Sequence, residues 1–341
     1  MFKNRFSLCK HILSILLILT FVGSIVASDH AAETLTIYSG RSKSLVEPII
    51  KQFEEKTGIQ VKANYGGTTQ LAAALLTEGD KSPAALFWAQ DAGALGAVSK
   101  KEMFENLPES ILTKVPSIFR DAEGHWIATS GRARVLAYAP ERVKMAELPH
   151  SIFDLTQPVW KGRVGWAPTN GSFQAFVTAM RVQVGEEHTE EWLRGMKANG
   201  AIKYAKNTPI IEALAAGEID VGLPNHYYLL RFKKSDPDYP VVQTFFKASD
   251  PGNLVNIAGI GILKSSEQKE TALKFVEFLL SAQSQQYFTS DVFEYPVIED
   301  VTPNPNLSPL SELLEAAPAF DLNDMDDLDG TVKLLQHAEI L

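Results

Sequence analysis

The sequence predicts an α/β protein of two lobes, each built on a sheet rich in parallel strands and joined by a two-strand hinge beside an interlobe cleft. Three observations predict this fold. Strand-like and helix-like segments alternate from residue 35, and the alternation starts again at residue 163. Two extended apolar stretches, ARVLAY (133–138) and LVNIAGIGIL (254–263), link the two regions. Such alternation is typical of parallel sheets with right-handed crossovers, and a double connection makes a hinge.

The first region contains three predicted strands separated by two predicted helices. The strands are LTIY (35–38), IQVKA (59–63) and AALFWA (84–89), and the helices are SKSLVEPIIKQFEEKTG (42–58) and TTQLAAALLTEGD (68–80). The first helix shows an apolar stripe of helical period, with Pro48 in its first turn and Gly58 at its end. In parallel sheets the loops that follow the strands form the ligand crevice. We therefore expect the loops at 39–42, 65–69 and 90–93 to face the cleft.

The second region ends its strands in loops of the same kind. RVGWAP (163–168) is strand-like and TNGSF (169–173) opens a helix. PIIEALAAGEIDVGL (209–223) predicts a helix that stops at Gly217, followed by a short strand. Asn225 is then a good N-cap for the next helix. The adjacent Tyr227 and Tyr228 are therefore expected in its first turn.

The N-terminal residues predict a signal peptide that spans residues 1–28. Lys3, Arg5 and Lys10 precede an apolar run at 12–26, whose length of about 15 residues suits the apolar core of a signal peptide better than a membrane span. An uncleaved anchor is the alternative. Cys9 is the chain's one cysteine and lies in this leader, so the mature chain is expected to have neither disulfides nor thiolate metal sites.

The predicted lobes are each made of two separate pieces of chain. Residues 33–133 with 259–309 form the N-lobe, and residues 134–258 with 310–341 form the C-lobe. The chain is acidic, with 41 Asp and Glu against 32 Lys and Arg, for a net charge of −9. This balance argues against nucleic acid and against an anionic membrane surface as partners.

The tyrosine pair suggests a site for a hard metal ion. Most neighbouring tyrosines serve packing, but Tyr227 and Tyr228 follow a strand of a secreted, two-lobed protein. A trivalent cation prefers anionic oxygen ligands, and a phenolate supplies one. The metal must displace a proton from each phenol, whose free pKa is about 10. A helix N-terminus favours the resulting anions through its partial positive charge.

Seven motifs together resemble the periplasmic ferric-ion-binding proteins, which are the substrate-binding components of iron ABC importers. They are YSGRSKSLVEPIIKQFEEKTGI, EGDKSPAALFWAQDAGAL, SGRARVLAY, PTNGSFQAFV, YAKN, NHYY and FLLSAQSQQYF, and the resemblance covers about residues 34–341 in the same order. It implies a periplasmic-binding-protein fold that captures Fe³⁺ and delivers it to an inner-membrane permease. It also implies that Tyr227 and Tyr228 bind the iron as phenolates.

The resemblance implies further site residues, with departures from the family pattern. Its usual His and Glu ligands fall on Ser42 and Gln90, which are weaker ligands, and Tyr65 in a cleft loop is a further candidate. The family completes the coordination with an anion such as carbonate or phosphate. The positions that match an anion site are Asn170, Gly171, Ser172, Asn207, Asn225 and Arg132. Because Arg132 and Arg134 alternate along a strand, we expect only one of them at the cleft and the other in a surface salt bridge.

Two other functions compete with ferric-ion binding. The same fold could bind a free oxyanion, such as sulfate, phosphate or a phosphonate, without iron. A secreted hydrolase is disfavoured because the sequence carries no H-E-x-x-H, G-x-S-x-G or P-loop motif. We therefore expect a non-enzymatic monomer in the periplasm, or one tethered to the membrane if its leader stays uncleaved.

Two further segments are expected to be structural. His226 precedes the tyrosines and is expected to be structural or solvent-facing. The acidic run at 321–330 does not fit the EF-hand template and is expected to form a solvated loop that caps the last helix.

Overall fold

The computed structural model describes residues 33–341, which form one compact unit of two five-stranded sheets and their flanking helices. The predicted signal peptide lies outside the described residues. The α/β class predicted from the alternating segments is confirmed.

Strands and helices alternate along most of the described chain. The strands are β1 (Thr34–Ser39), β2 (Gln60–Tyr65), β3 (Leu86–Ala89), β4 (Ile127–Ala133), β5 (Leu136–Tyr138), β6 (Val164–Trp166), β7 (Ile202–Lys203), β8 (Val221–Gly222), β9 (Val242–Thr244) and β10 (Val255–Ile262). The α-helices are α1 (Lys43–Thr57), α2 (Thr68–Glu78), α3 (Ala92–Ser99), α4 (Glu109–Leu112), α5 (Gly171–Val184), α6 (Glu186–Ala198), α7 (Asn207–Ala216), α8 (His226–Ser235), α9 (Lys269–Leu279), α10 (Ala282–Tyr287), α11 (Leu310–Ala316) and α12 (Leu328–His337).

The first sheet has the order β2-β1-β3-β10-β4. Strand β1 is parallel to β2 and β3, whereas β10 is antiparallel to β3 and β4. Apolar side chains from β1 and β3 are fully buried, among them Ile37 and Trp88. Trp88 packs edge-on against Phe275 of α9, so this returning helix covers one face of the sheet. The carboxyl ends of β1 and β3 lead into two of the predicted cleft loops.

The second sheet has the order β7-β6-β8-β5-β9. Strand β6 is parallel to β7 and β8, and β5 is antiparallel to β8 and β9. Its core is aromatic: Trp166 packs edge-on against Phe173 of α5 and Trp192 of α6. Along the chain, β6 is followed by α5, and β8 is followed by α8.

The chain passes between the sheets within the stretch predicted as one strand, ARVLAY. Strand β4 ends at Ala133 in the first sheet, and β5 begins at Leu136 in the second. Arg134 makes the crossing, and its N–H donates to Leu254 O at 2.9 Å, immediately before β10. The two crossing segments therefore lie side by side, as expected of a hinge. The predicted lobe boundaries stay a prediction.

The C-terminal segment crosses to the first sheet's helices. Two glycines of α3 face it: a side chain at Gly96 would meet Asp326 Cα at 3.1 Å, and one at Gly93 would meet Met325 O at 3.1 Å. Asp327 caps α12 by accepting from Gly330 N at 3.0 Å, which confirms that the acidic run caps the last helix. Among the helices of residues 33–341, none has both the length and the apolar character needed to cross a bilayer.

Candidate functional site

The tyrosine pair lies in the first turn of α8, as predicted. Tyr227 is fully buried and Tyr228 is 7% exposed. Their ring centroids are 4.4 Å apart and their planes differ by 31°. Asn225 occupies the N-cap position but makes no capping hydrogen bond. Its amide oxygen instead accepts from Arg134 Nη1 at 3.4 Å, so the expected position was right and the expected bond was wrong.

The two phenols differ in how the protein around them satisfies their hydroxyl groups. The Tyr227 hydroxyl is buried and has no hydrogen-bond partner within residues 33–341. Burial, and then the neighbouring Tyr227, raise the pKa of Tyr228 above its usual value, so this phenol is neutral at physiological pH. Nearly all buried polar groups in native proteins are hydrogen-bonded. The Tyr227 hydroxyl is therefore an exception among the buried polar groups of residues 33–341.

Arg132 and Arg134 correct one expectation. They are only 1% and 2% exposed, and neither forms an ion pair with any described residue, so the predicted surface salt bridge is wrong. The reason is that β4 ends at Ala133, and Arg134 leaves the strand alternation as the chain crosses. Both arginines line one cavity of about 10 Å³, enough for roughly one water. Its other lining residues are Ser172, Asn225, Leu254 and Asn256.

These arginines leave positive charge uncompensated in the interior. Burial, and then the neighbouring Arg132, lower the pKa of Arg134 to about 9. Arg132 uses only Nη2, which donates to Ile257 O at 3.1 Å, and its Nε and Nη1 have no partner in the described chain. Buried charge is costly unless it is paired. The surroundings of the tyrosines therefore favour an additional anion.

Several helix N-termini converge on the same place. Asn170 caps α5 by accepting from Ser172 N at 3.0 Å, and its side chain also accepts from Gln90 Nε2 at 3.2 Å. Asn207, which begins α7, donates through Nδ2 to Ser172 Oγ at 3.4 Å. A side chain at Gly171 would meet Thr68 Cβ at 3.2 Å, so the starts of α5 and α2 nearly touch. Helix N-termini carry partial positive charge and attract anions.

Asp91 is a buried carboxylate beside the start of α5, where a side chain at Gly171 would meet its Oδ2 at 3.4 Å. Its Oδ1 caps α3 by accepting from Ala94 N at 2.9 Å, and its Oδ2 has no partner among the residues described. Burial raises its pKa to about 6. Asp91 is therefore ionised at pH 7, and Arg132 is the cation that acts on it.

Ser42 and Tyr65 are two of the predicted additional cleft ligands. Ser42 is exposed at the start of α1, and no hydrogen bond or ring contact in the described chain joins either residue to the pair. Tyr65 is half-buried, and burial together with Glu47 and Glu54 of α1 raises its pKa to about 12. The structure thus brings together the tyrosines and the predicted anion residues, with Gln90 beside Asn170. The ligand roles of Ser42, Gln90 and Tyr65 stay predictions.

His226 is structural, one of its two expected roles. It is 3% exposed, its Nδ1 accepts from Ala133 N at 3.1 Å, and its Nε2 donates to Phe293 O at 2.8 Å. Burial lowers its pKa to about 4, so it stays neutral. No cluster of three His, Cys, Asp or Glu side chains suited to a metal occurs in residues 33–341.

The sequence analysis missed a buried ion pair beside the tyrosines. Arg41, in the loop after β1, pairs with Glu294 at 2.8 Å, and both side chains are at most 1% exposed. The charge of Arg41 acts on both Tyr227 and Tyr228. Arg41 directly precedes Ser42 in the predicted cleft loop, and this adjacency was the available signal. The sequence around Glu294 gave no signal of this ion pair.

Comparison with known proteins identifies the family. The family described as bacterial extracellular solute-binding protein matches residues 81–318. The major ferric iron-binding protein of Neisseria meningitidis is 34% identical over 319 residues, which are 92% of this chain and 96% of that protein. The chain belongs to this family of bacterial extracellular solute-binding proteins. The Fe(3+)-binding periplasmic protein of Serratia marcescens is 33% identical over 91% of this chain and 92% of its own length.

Solved structures of similar proteins share the fold. Iron-bound HitA from Pseudomonas aeruginosa superposes with a TM-score of 0.85 at 35% identity, over 90% of this chain and 99% of that one. FutA from Trichodesmium, in complex with iron and citrate ligands, gives a TM-score of 0.72 at 29% identity, over 89% of this chain and 99% of that one. The predicted two-lobed periplasmic-binding-protein fold and the predicted resemblance are confirmed.

Proposed function

We propose that this solute-binding protein captures one Fe³⁺, together with a small anion, and delivers it to an ABC permease in the inner membrane. The observation that carries the proposal is the buried pair Tyr227 and Tyr228, with the unpartnered hydroxyl of Tyr227, in a chain that also buries Arg41, Arg132 and Arg134. Phenolates are hard anionic oxygens suited to a trivalent ion. The names of the similar proteins supply the identity of the metal.

Charge balance supports the synergistic anion. Arg132 and Arg134 bring two positive charges and Asp91 one negative, while Arg41 and Glu294 cancel. Adding a ferric ion and two phenolates leaves a surplus of two positive charges. A dianion such as carbonate or hydrogen phosphate neutralises it, since a buried net charge is costly. Asn170, Ser172, Asn207 and Asn225 are the candidate residues that hold this anion, with Arg132 beside them.

The two competing functions are less well supported. A free oxyanion would use the arginines, but the similar proteins named above bind iron, and this alternative is not favoured. The names of those relatives describe iron binding and no catalytic activity, and we infer that this chain is likewise not an enzyme. Turnover of common esters or phosphoesters by the purified protein would contradict that inference.

The location and partners follow from the same proposal. Similar proteins are periplasmic, so we propose that the leader is cleaved near residue 28 and that the mature protein is a periplasmic monomer. Two lobes, residues 33–133 with 259–309 and residues 134–258 with 310–341, would close on the iron. Mass spectrometry of the secreted protein and light scattering measure the cleavage site and the oligomeric state.

An absorption titration tests the ferric site. Ferric nitrilotriacetate is added to chelator-treated protein at pH 7.5, with carbonate or phosphate present. Tyrosinate bound to Fe³⁺ gives a visible charge-transfer band, so a coloured protein with one iron per chain is expected. The variant Tyr227→Phe with Tyr228→Phe should stay colourless. A colourless wild type that binds phosphate would instead establish the oxyanion receptor.

A further inference from the structure

Arg41 and Glu294 form an ion pair that is removed from water. Arg41 Nη2 contacts both carboxylate oxygens of Glu294 at 2.8 Å, and the side chains are 1% and 0% exposed. Ser130 Oγ also donates to Glu294 Oε2. A buried ion pair of this kind is rarely a net gain in stability over an apolar pair of the same volume. Its presence beside the tyrosines therefore calls for another role.

Arg41 has N–H donors that form no hydrogen bond within the described residues. A guanidinium has five N–H donors, yet only Nη2 of Arg41 is engaged. Its Nε and Nη1 are buried and have no partner within the described part of the chain. The Tyr227 hydroxyl, in the same interior region, is likewise buried and unpartnered. Within the described residues, Arg41 thus has donors that lack an acceptor and the Tyr227 hydroxyl lacks a donor, and the charge of Arg41 acts on both phenols.

The carboxylate partner is held by a constrained turn. Phe293, just before Glu294, has a φ of 63°, in the left-handed region that bulky residues rarely occupy. Its carbonyl oxygen accepts from His226 Nε2 at 2.8 Å, next to Tyr227 in α8. Tyr295, just after Glu294, exchanges two backbone hydrogen bonds with Gly131, of 2.8 and 2.9 Å. Glu294 is therefore fixed relative to the helix that carries the tyrosines, and it fixes Arg41 in turn.

We propose that Arg41, held by Glu294, is a positioning residue of the ferric site whose free N–H groups donate to the phenolate oxygen of Tyr227 once iron is bound. This inference rests on the proposed ferric function. The neutral phenol has little need of a cationic donor, whereas the phenolate is an acceptor of charge-assisted hydrogen bonds. Partners of this kind, one layer beyond a metal ligand, orient the ligand and tune the metal.

The test removes both charges at nearly constant volume. The variant Arg41→Met with Glu294→Met leaves no unpaired buried charge, so it should fold, since such replacements are often neutral or stabilising. Without the hydrogen bond the phenolate gives up its electrons more readily, so the charge-transfer band should move to longer wavelength. Competition with citrate should show at least a tenfold weaker ferric affinity. Arg41→Lys keeps the cation opposite Glu294 and should fall between this variant and the wild type.

The outcomes separate the inference from the proposed function. A coloured wild type, with a shifted band and weakened affinity in the double Met variant, supports the role of Arg41. A double Met variant that keeps the wild-type wavelength, with an affinity within twofold, overturns that role while the ferric function stands. A colourless wild type would overturn the ferric function itself, and the inference with it.

Discussion

Replacing Tyr227 by Phe should stabilise the iron-free protein while removing a ligand of the proposed metal. The Tyr227 side chain is fully buried and its hydroxyl has no partner among residues 33–341. Folding therefore removes water from this hydroxyl without supplying a hydrogen bond in its place. Tyr295 is the matched control, because it is 2% exposed but its hydroxyl donates to Ser308 O at 3.0 Å.

The size of the effect follows from the cost of an unsatisfied group. Leaving a buried polar group without a partner costs about 1–3 kcal/mol, so Tyr227→Phe should gain up to that amount. An unfolding entropy of about 2.1 cal/mol/K per residue, over roughly 300 residues, is about 0.6 kcal/mol/K. The expected rise in Tm is therefore about 2–5 °C. Tyr295→Phe should lose about 0.5–1.5 kcal/mol, and its Tm should fall by about 1–2 °C.

Differential scanning calorimetry on chelator-treated protein at pH 7.5 measures both variants. Opposite signs for Tyr227→Phe and Tyr295→Phe support the assignment of Tyr227 as an unsatisfied, ligand-awaiting phenol. If Tyr227→Phe destabilises the iron-free protein as much as Tyr295→Phe does, its hydroxyl is already satisfied, and the reasoning from the orphaned phenol is refuted.

Two further predictions concern pH dependence and the contact between α3 and the C-terminal segment. Burial raises the pKa of Asp91 from 3.8 to about 6, so the folded state holds a proton that the unfolded state loses between pH 4 and 6. The stability that this proton contributes is lost as pH rises. The variant Asp91→Asn keeps an acceptor for Ala94 N, so its free energy of unfolding should equal that of the wild type below pH 4 and exceed it by about 3 kcal/mol above pH 6. Urea unfolding at pH 4 and 7.5 measures this, and a gain independent of pH would contradict it. Gly96→Val should cost about 1–3 kcal/mol, because its side chain meets Asp326 Cα at 3.1 Å. Lys100→Ala removes an exposed ion pair to Asp326 and should cost less than about 1 kcal/mol; equal costs would contradict the close packing of this contact.

Local patterns were enough to predict the elements that bear the site. The alternating strands and helices, the loops after them and the helical turn that holds Tyr227 and Tyr228 all follow from periodicity and capping signals within a few residues. Asn225 shows the limit of that method. It stands at the predicted N-cap, but its side chain accepts a hydrogen bond from the more distant Arg134 and does not cap the helix.

What the sequence could not supply were contacts between distant segments. Arg41 and Glu294 are 253 positions apart, and no local pattern marks either as half of a buried pair. The misjudged burial of Arg134 has a related cause. Strand alternation applies only while the chain stays in one sheet, and the chain leaves the first sheet one residue before Arg134.

The number of ferric ions bound per chain, under competition with citrate, tests the central claim most directly. The measurement compares the wild type with Tyr227→Phe combined with Tyr228→Phe, using metal analysis after removal of the free chelate. We predict one iron per chain for the wild type and none for the double variant. A double variant that still holds one iron, or a wild type that holds none, would contradict the account.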